Sequence, residues 1–265
     1  MTQSVIKHIR FYFLFNKSKL MNLFEYRSDT ISIILGSLGY VAMTYIFIEV
    51  LFSKITNIGS WGKYEMVALF GVAQILYYLL YCLVGDFQSL SDAIRTGSLD
   101  KSLTKPLHTF FLAAIDQSLL IQTLPSLIIP FMLLGHANNF LEINWYSNLI
   151  VFGLSLIVSI FQIIFFYGII GSLAFWLSDT KGISTIYWSV KDFEHFPGVI
   201  YPRWAWPIIL TIFPSGLIAY VPTSFLLNGF DWNLFIMQMF SFVFLSIVLY
   251  WFWKTGLKNY TSASS

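Results

Sequence analysis

The sequence predicts an all-α protein that crosses a membrane six times. Three observations carry that expectation. Charge is scarce, with 15 Lys and Arg and 13 Asp and Glu making up 11% of 265 residues, where a soluble domain carries roughly 25%. The apolar set of aliphatic, aromatic, Met and Cys side chains reaches 57%. The uncharged residues also gather into six runs, each long enough for a hydrocarbon core that takes about 20 residues of helix to cross. Helix is the conformation such runs adopt, because backbone N–H and C=O groups find no water partners in lipid. A membrane barrel would instead show alternating segments of about ten residues.

The elements follow in chain order. Residues 1–28 form a basic segment in which Lys7, Arg10, Lys17 and Lys19 interrupt the apolar residues. Its uncharged runs are too short for the apolar core of a signal peptide. Ile6, Ile9 and Phe13, then Leu20 and Phe24, recur at helical spacing and predict an amphipathic helix lying in the interface; a disordered basic tail is the alternative. The membrane domain covers 29–253. Its charge-free runs are Thr30–Ile48, Met66–Gly85, Gln117–Leu141, Ile143–Ser178, Trp204–Phe230 and Trp232–Trp253. They predict spans over about 30–52, 65–85, 112–134, 148–177, 206–226 and 232–253, followed by a tail over 254–265. Pro222 and Gly229 leave a choice near the end of the fifth run, between a short re-entrant piece and a kinked helix with a loop.

Basic residues set the orientation. The N-terminal region, the loops after spans two and four, and the C-terminal tail hold thirteen of the 15 Lys and Arg. The other side has only Lys54 and Lys63. Both termini are therefore expected in the cytoplasm.

The loop after span two is the most informative polar stretch. Phe87, Leu90 and Ile94 make one stripe of a short helix. Asp86 is placed to cap its start and Gly97 to take the left-handed turn after its end; Asp92 and Arg95 stand between. The stripe either lies back on the membrane or docks into a groove of a cytosolic partner. The loop after span four, Asp179–Arg203, mixes charges with aromatic residues suited to the interface, and Pro197, Pro202 and Pro207 break it into an interfacial helix and an extended connector.

Most chemistry is absent from the sequence. There is no phosphate-binding loop, since Gly62-Lys63 is followed by Tyr64, and none of the dinucleotide, zinc-protease or nucleophile-elbow motifs occurs. A net charge of +2 is too small for nucleic-acid binding, and one cysteine, Cys82, excludes a disulfide framework or thiolate metal cluster. Only Glu49 and Asp116 are ionisable groups placed inside a span. Each is either a functional intramembrane charge or an interfacial, locally paired group, Glu49 with Lys54 a turn away and Asp116 with Lys105 or a neighbouring helix. His136 is expected in an outer loop. Two isolated acids do not make a proton relay, so energy for any transport must come from outside the chain.

Over roughly Glu25 to Gly229 the chain resembles the membrane subunits of ABC transporters of the type-2 exporter class, most of all a bacterial branch with a separate six-span permease. The residues are Glu25-Tyr26-Arg27 before span one, Trp61 with Glu65 before span two, and Gly97-Ser98-Leu99-Asp100 followed by Lys105-Pro106. Phe196-Pro197 and Tyr201-Pro202 before span five, and Pro222 with Gly229 before span six, complete the set. Many relatives have Arg where Lys105 stands.

The resemblance implies a permease with a similar or identical second permease subunit and two cytosolic ATPase subunits. ATP and Mg²⁺ would be bound by the ATPases, with no cofactor on this chain and no nucleic acid as partner. The Asp86–Gly97 loop would be the coupling helix, the N-terminal segment the connecting helix, and the site a bacterial cytoplasmic membrane. Substrate would pass between two permeases along spans one, two and five. An apolar, aromatic lining suits a lipid-like, peptide or drug-like cargo. An ion-coupled secondary carrier and a non-transporting immunity or assembly factor are the competing readings.

Overall fold

A computed structural model describes residues 12, 14, 27–84, 87–105, 108–116, 118, 123–141, 143–177, 182, 195–205, 208 and 215–260. Its elements are α1 (Arg27–Phe52), α2 (Lys63–Leu83), α3 (Phe87–Arg95), α4 (Asp100–Leu103), α5 (Thr109–Asp116), α6 (Ile128–Leu141) and α7 (Trp145–Ser172). Then come α8 (Ser215–Ile218), α9 (Tyr220–Asn228) and α10 (Trp232–Asn259). Among the described residues there is no β-strand. Among the described residues five stretches are long and apolar enough to cross a membrane: Ile31–Phe52, Lys63–Leu83, Leu124–Leu141, Tyr146–Phe175 and Trp232–Asn259.

Helix ends are fastened by local chemistry. The turn from α1 to α2 closes with an Ile58–Trp61 bridge, and Gly59 there has φ +63°. The carboxylate of Glu65 then accepts from the Gly62 N–H at the start of α2. Asn144 caps α7 through the Ser147 N–H, and Asp231 caps α10 through the N–H groups of Asn233 and Leu234.

Cross-helix contacts give the directions. Glu49 on α1 meets Lys63 on α2, and Tyr40 meets Phe70, so these helices run antiparallel. Tyr64 on α2 stacks on Phe140 of α6, with ring centroids 3.9 Å apart, while Gly71 faces Leu134, so α6 is antiparallel to α2. Ser155 on α7 meets Gln238 on α10, Gly168 meets Leu249, and the region of Phe175 meets Gly256. Residue numbers rise together on both helices, so α7 and α10 run parallel. The chain joining Phe175 to Trp232 must therefore return along the length of the bundle.

α2 is the central helix, buried from Met66 through Leu76 and again at Tyr78, Leu80 and Cys82. One end of the bundle carries α3, α4 and the last turns of α7 and α10. The opposite end carries the α1–α2 turn and the starts of α7 and α10. α9 packs near that opposite end, where Tyr220 meets Trp61 with ring centroids 5.5 Å apart and Asn148 Nδ2 donates to the carbonyl of Leu226 at 2.9 Å. Pro222 sits in the first turn of α9, where a missing N–H costs no helical bond, and Gly229 ends it with φ +82°. The stretch from Pro222 is thus the last part of a short apolar helical segment, Gly216–Asn228, that Gly229 ends.

Two sequence expectations are corrected. His136 lies within α6 and not in a loop: the polar cluster around it resembles a loop, but helix is retained because the histidine finds a cross-helix partner in Tyr45. The connector at His195–Pro202, expected at the basic end with the rest of its loop, reaches far into the bundle. The His195 ring lies 5.2 Å from Phe70 and 6.4 Å from Tyr40. Phe70 is seven residues, about 10 Å of helix, from the Lys63 end of α2, so the connector sits toward the end opposite α3. Apolar contact explains this, since Phe196, Tyr201 and Ala205 pack on the main core.

Candidate functional site

The α3 end is built around a small second core. Leu90 and Ile94 of α3 are 4% and 5% exposed and pack with Leu99, Ala113, Ala174 and Trp253, while Phe110, Phe175 and Tyr260 border them. Leu90 rests on the backbone of α7 at Gly171; a Cβ there would stand 2.8 Å from Leu90 Cδ2. This corrects the expected docking stripe. Its described members, Leu90 and Ile94, are covered by the chain's own α5, α7 and α10, so they neither lie on lipid nor enter a partner's groove. An amphipathic pattern shows that a face will be buried, and here the neighbouring helix ends lie closer than any partner. Phe87's side chain and Asp86 lie outside the described residues.

The opposite face of this end is polar and open. Asp92 and Arg95 are exposed and approach each other at 3.7 Å, and Thr96, Ser98, Lys101 and Lys105 are exposed beside them. Gly97 has φ +75°, the left-handed turn expected of it. Leu99 is buried beneath this turn at 1% exposure, and Asp100 starts α4. The Tyr260 hydroxyl, just beyond α10, donates to Asp100 Oδ1 at 2.9 Å. Desolvation first, and the nearby Asp100 carboxylate second, push that phenol up to about 12 from 10.0. Its neutral, donating form is therefore held below pH 10, and the contribution is lost as pH rises through 12. Tyr260→Phe is expected to cost about 1 kcal/mol and to make the α3–α4 turn more sensitive to protease, with α10 unchanged by circular dichroism.

At the same end the Tyr12 hydroxyl donates to the Cys82 carbonyl at 3.2 Å, tying the N-terminal segment to the last turn of α2. Cys82 Sγ lies 3.0 Å from Thr123 Oγ1. Apart from Tyr12 and the exposed Leu14, the expected N-terminal helix, with Glu25, Tyr26 and the Arg27 side chain, lies outside the described residues, as do Pro106 and the Asp116 side chain. Asp116 is the last residue of α5, a helix of eight residues separate from the membrane-length stretch Leu124–Leu141.

A cavity of about 340 Å³ opens between α1, α2 and the connector. Met43, Thr44 and Phe47 of α1, Phe70 of α2, and His195 and Phe196 line it. It is mainly apolar and aromatic, with the Tyr40 and Thr44 hydroxyls and the His195 ring as its polar features. Pro197 is buried behind it, Tyr201 is half-buried and Pro202 is exposed. Beyond its rim Glu49 pairs with Lys63 at 3.2 Å, across the turn and not with Lys54. Four residues earlier on α1, Tyr45 Oη lies 3.1 Å from His136 Nε2 of α6.

The helix interface that sequence reasoning missed is polar. Ser155, Ser159 and Gln162 on α7 meet Gln238 on α10, and all four are buried. Ser155 Oγ donates to Gln238 Oε1, Gln238 Nε2 reaches both the Ser155 carbonyl and Ser159 Oγ, and Gln162 Nε2 donates to the Gln238 carbonyl, all at 3.0–3.1 Å. The only signal in the sequence was two glutamines inside charge-free runs. Among the described residues no group of three metal-ligating side chains comes together.

Residues 38–264 match a family model described as ABC-2 family transporter protein. No curated protein and no solved structure matches the chain.

Proposed function

The chain belongs to the ABC-2 transporter family, and from that membership we propose that it is the permease subunit of an ATP-driven exporter. It is a membrane protein with several spanning helices, and its family associates with ABC ATPases. In this reading it has six spans. The parallel course of α7 and α10 supports the sixth, because the chain between them has to travel back. The basic α3 end faces the cytoplasm, both termini included, and the membrane is a bacterial cytoplasmic one.

The observation that carries the reading is the α3 platform. Its apolar side is sunk into the ends of α7 and α10, and its exposed side offers Asp92 and Arg95. A motor pressing on Asp92 and Arg95 moves α3 as a rigid piece, and Leu90 on Gly171 passes that motion to α7. The stripe thus serves as the inner bearing and the charged face as the outer contact. Two ATPase subunits bind ATP and Mg²⁺, this chain binds neither and is no enzyme by itself, and two permeases, alike or merely similar, share the complex. The aromatic cavity between α1 and α2 suits an amphipathic or hydrophobic cargo.

The test is co-purification with a co-expressed ABC ATPase that the parent chain captures. Asp92→Arg combined with Arg95→Asp is expected to weaken ATPase capture about tenfold, since close charge pairs at interfaces are worth about 1.5 kcal/mol or more. The melting temperature should hold, because both side chains are exposed. Undiminished capture and unchanged ATPase stimulation would refute this contact.

A further inference from the structure

We propose that Glu49–Lys63 and Tyr45–His136 form a latch that closes the α1–α2 cavity at the end away from α3, and that it opens when cargo leaves. The proposal rests on the permease reading and adds to it the residues that gate exit.

Among the described membrane-length helices α1 is the least covered: 17% of its most apolar window is buried, against 22% for Leu124–Leu141 and for α10 and 78% for α2. Its side chains fall into three stripes. Ile31, Leu35, Ile46 and Val50 are more than half exposed. Tyr40, Met43, Phe47 and Leu51 face the cavity. Ser37, Val41, Tyr45 and Ile48 face the protein, with Val41 and Ile48 buried and Ser37 Oγ 3.2 Å from Ser126 Oγ. So little apolar burial leaves the polar ties to decide where α1 rests. One of them lies just past the cavity, at its end away from α3: Glu49 on α1 pairs with Lys63, which comes three residues before the lining residue Met66 on α2.

The chemistry suits a part that opens repeatedly. The Glu49 and Lys63 side chains are 40% and 29% exposed, so water can solvate each charge once they separate. A deeply buried pair would leave two desolvated charges on opening, at a cost no gate could meet repeatedly, whereas a half-exposed pair is weak and reversible. Tyr45 adds direction, since its hydroxyl also neighbours the Glu49 carboxylate and its ring lies edge-on to His136 at 5.9 Å. The stacked Tyr64–Phe140 pair holds His136 from the other side. α2 and α6 thus present a fixed socket, and α1 carries the removable half.

The test is thiol labelling of the full-length chain in proteoliposomes. A Cys82→Ala chain carrying Thr44→Cys reports the cavity, with a membrane-impermeant maleimide added on the Lys63 side. Glu49→Gln with His136→Phe is expected to raise the labelling rate about tenfold, from lost hydrogen bonds at a charged group. Exchanging the charges as Glu49→Lys with Lys63→Glu should return it to the parent rate, which controls for misfolding. Equal rates in the parent and the Glu49→Gln chain, or an exchanged chain that labels as fast as the broken one, would overturn the latch. Adding the ATPase and ATP separates the two readings. A rate that follows the variants but ignores ATP would overturn the permease assignment and leave the latch standing.

Discussion

Replacing Ile94 with aspartate is expected to collapse the α3 end of the protein, lowering stability by about 3–5 kcal/mol, the cost of an uncompensated buried charge. Ile94 is 5% exposed among Leu90, Leu99, Ala113, Ala174 and Trp253. A carboxylate there has no partner among those side chains, and α3 can avoid burying it only by lifting off α7. Lifting frees Leu90 from Gly171 and uncovers Leu99 beneath the Gly97 turn, so the loss spreads through the platform. Thermal unfolding in detergent, read from the tryptophan fluorescence of Trp253 and its neighbours, should shift to lower temperature with no ATPase present. Ile94→Val should be nearly silent by comparison, costing about 1 kcal/mol. A melting curve for Ile94→Asp that matches the parent would mean that α3 does not sit on α7. The same variant would also lose the ATPase, but for a reason unrelated to the contact surface; Asp92 and Arg95 are the residues that separate contact from seating.

That distinction marks how far the sequence was legible. Five of the six charge-free runs hold a membrane-length helix among the described residues, because excluding charge is a local property of each segment, while the run Trp204–Phe230 shows only the shorter helix Gly216–Asn228; Gly97 announced a left-handed turn because few other residues adopt one. The helical spacing of Leu90 and Ile94 announced a buried face. It could not name the cover, which comes from Gly171 and Trp253, far away in the chain. Glu49 shows the same limit: spacing offered Lys54, whereas the short turn at Gly59 returns Lys63 to its side. Searching for charge also misplaced His136 and passed over the glutamines, whose part in the fold depends on what faces them. The connector was misplaced because its charges suggested a cytosolic loop, while Phe196 and Tyr201 supply enough apolar surface to draw it into the core.

Gln238→Leu tests the strongest tie within the apolar part of the bundle. Gln238 is 1% exposed, and its amide binds Ser155 twice and Ser159 once. Interhelical hydrogen bonds in membranes average about 0.6 kcal/mol each, so losing three predicts a loss of about 2 kcal/mol. The loss comes mainly from stranding, because the Ser155 and Ser159 hydroxyls stay behind in an apolar interface with their cross-helix partner gone. Adding Ser155→Ala and Ser159→Ala to Gln238→Leu should therefore recover part of the stability, although each alanine alone weakens the parent. Simple loss of packing predicts the reverse, a triple variant less stable than Gln238→Leu. The clamp also explains which helices can move. α7 and α10 are joined by this network and by the Leu249 side chain resting on Gly168, with Phe175 just beyond α7 resting on Gly256, whereas α1 rests on a solvent-reached ion pair and a few buried side chains. A disulfide between Ser155→Cys and Gln238→Cys should then leave ATP-driven efflux intact, because it locks helices that already travel together. A reducible bifunctional thiol cross-linker between Glu49→Cys and Lys63→Cys, whose parent side chains meet only at their tips, should stop efflux until it is cleaved.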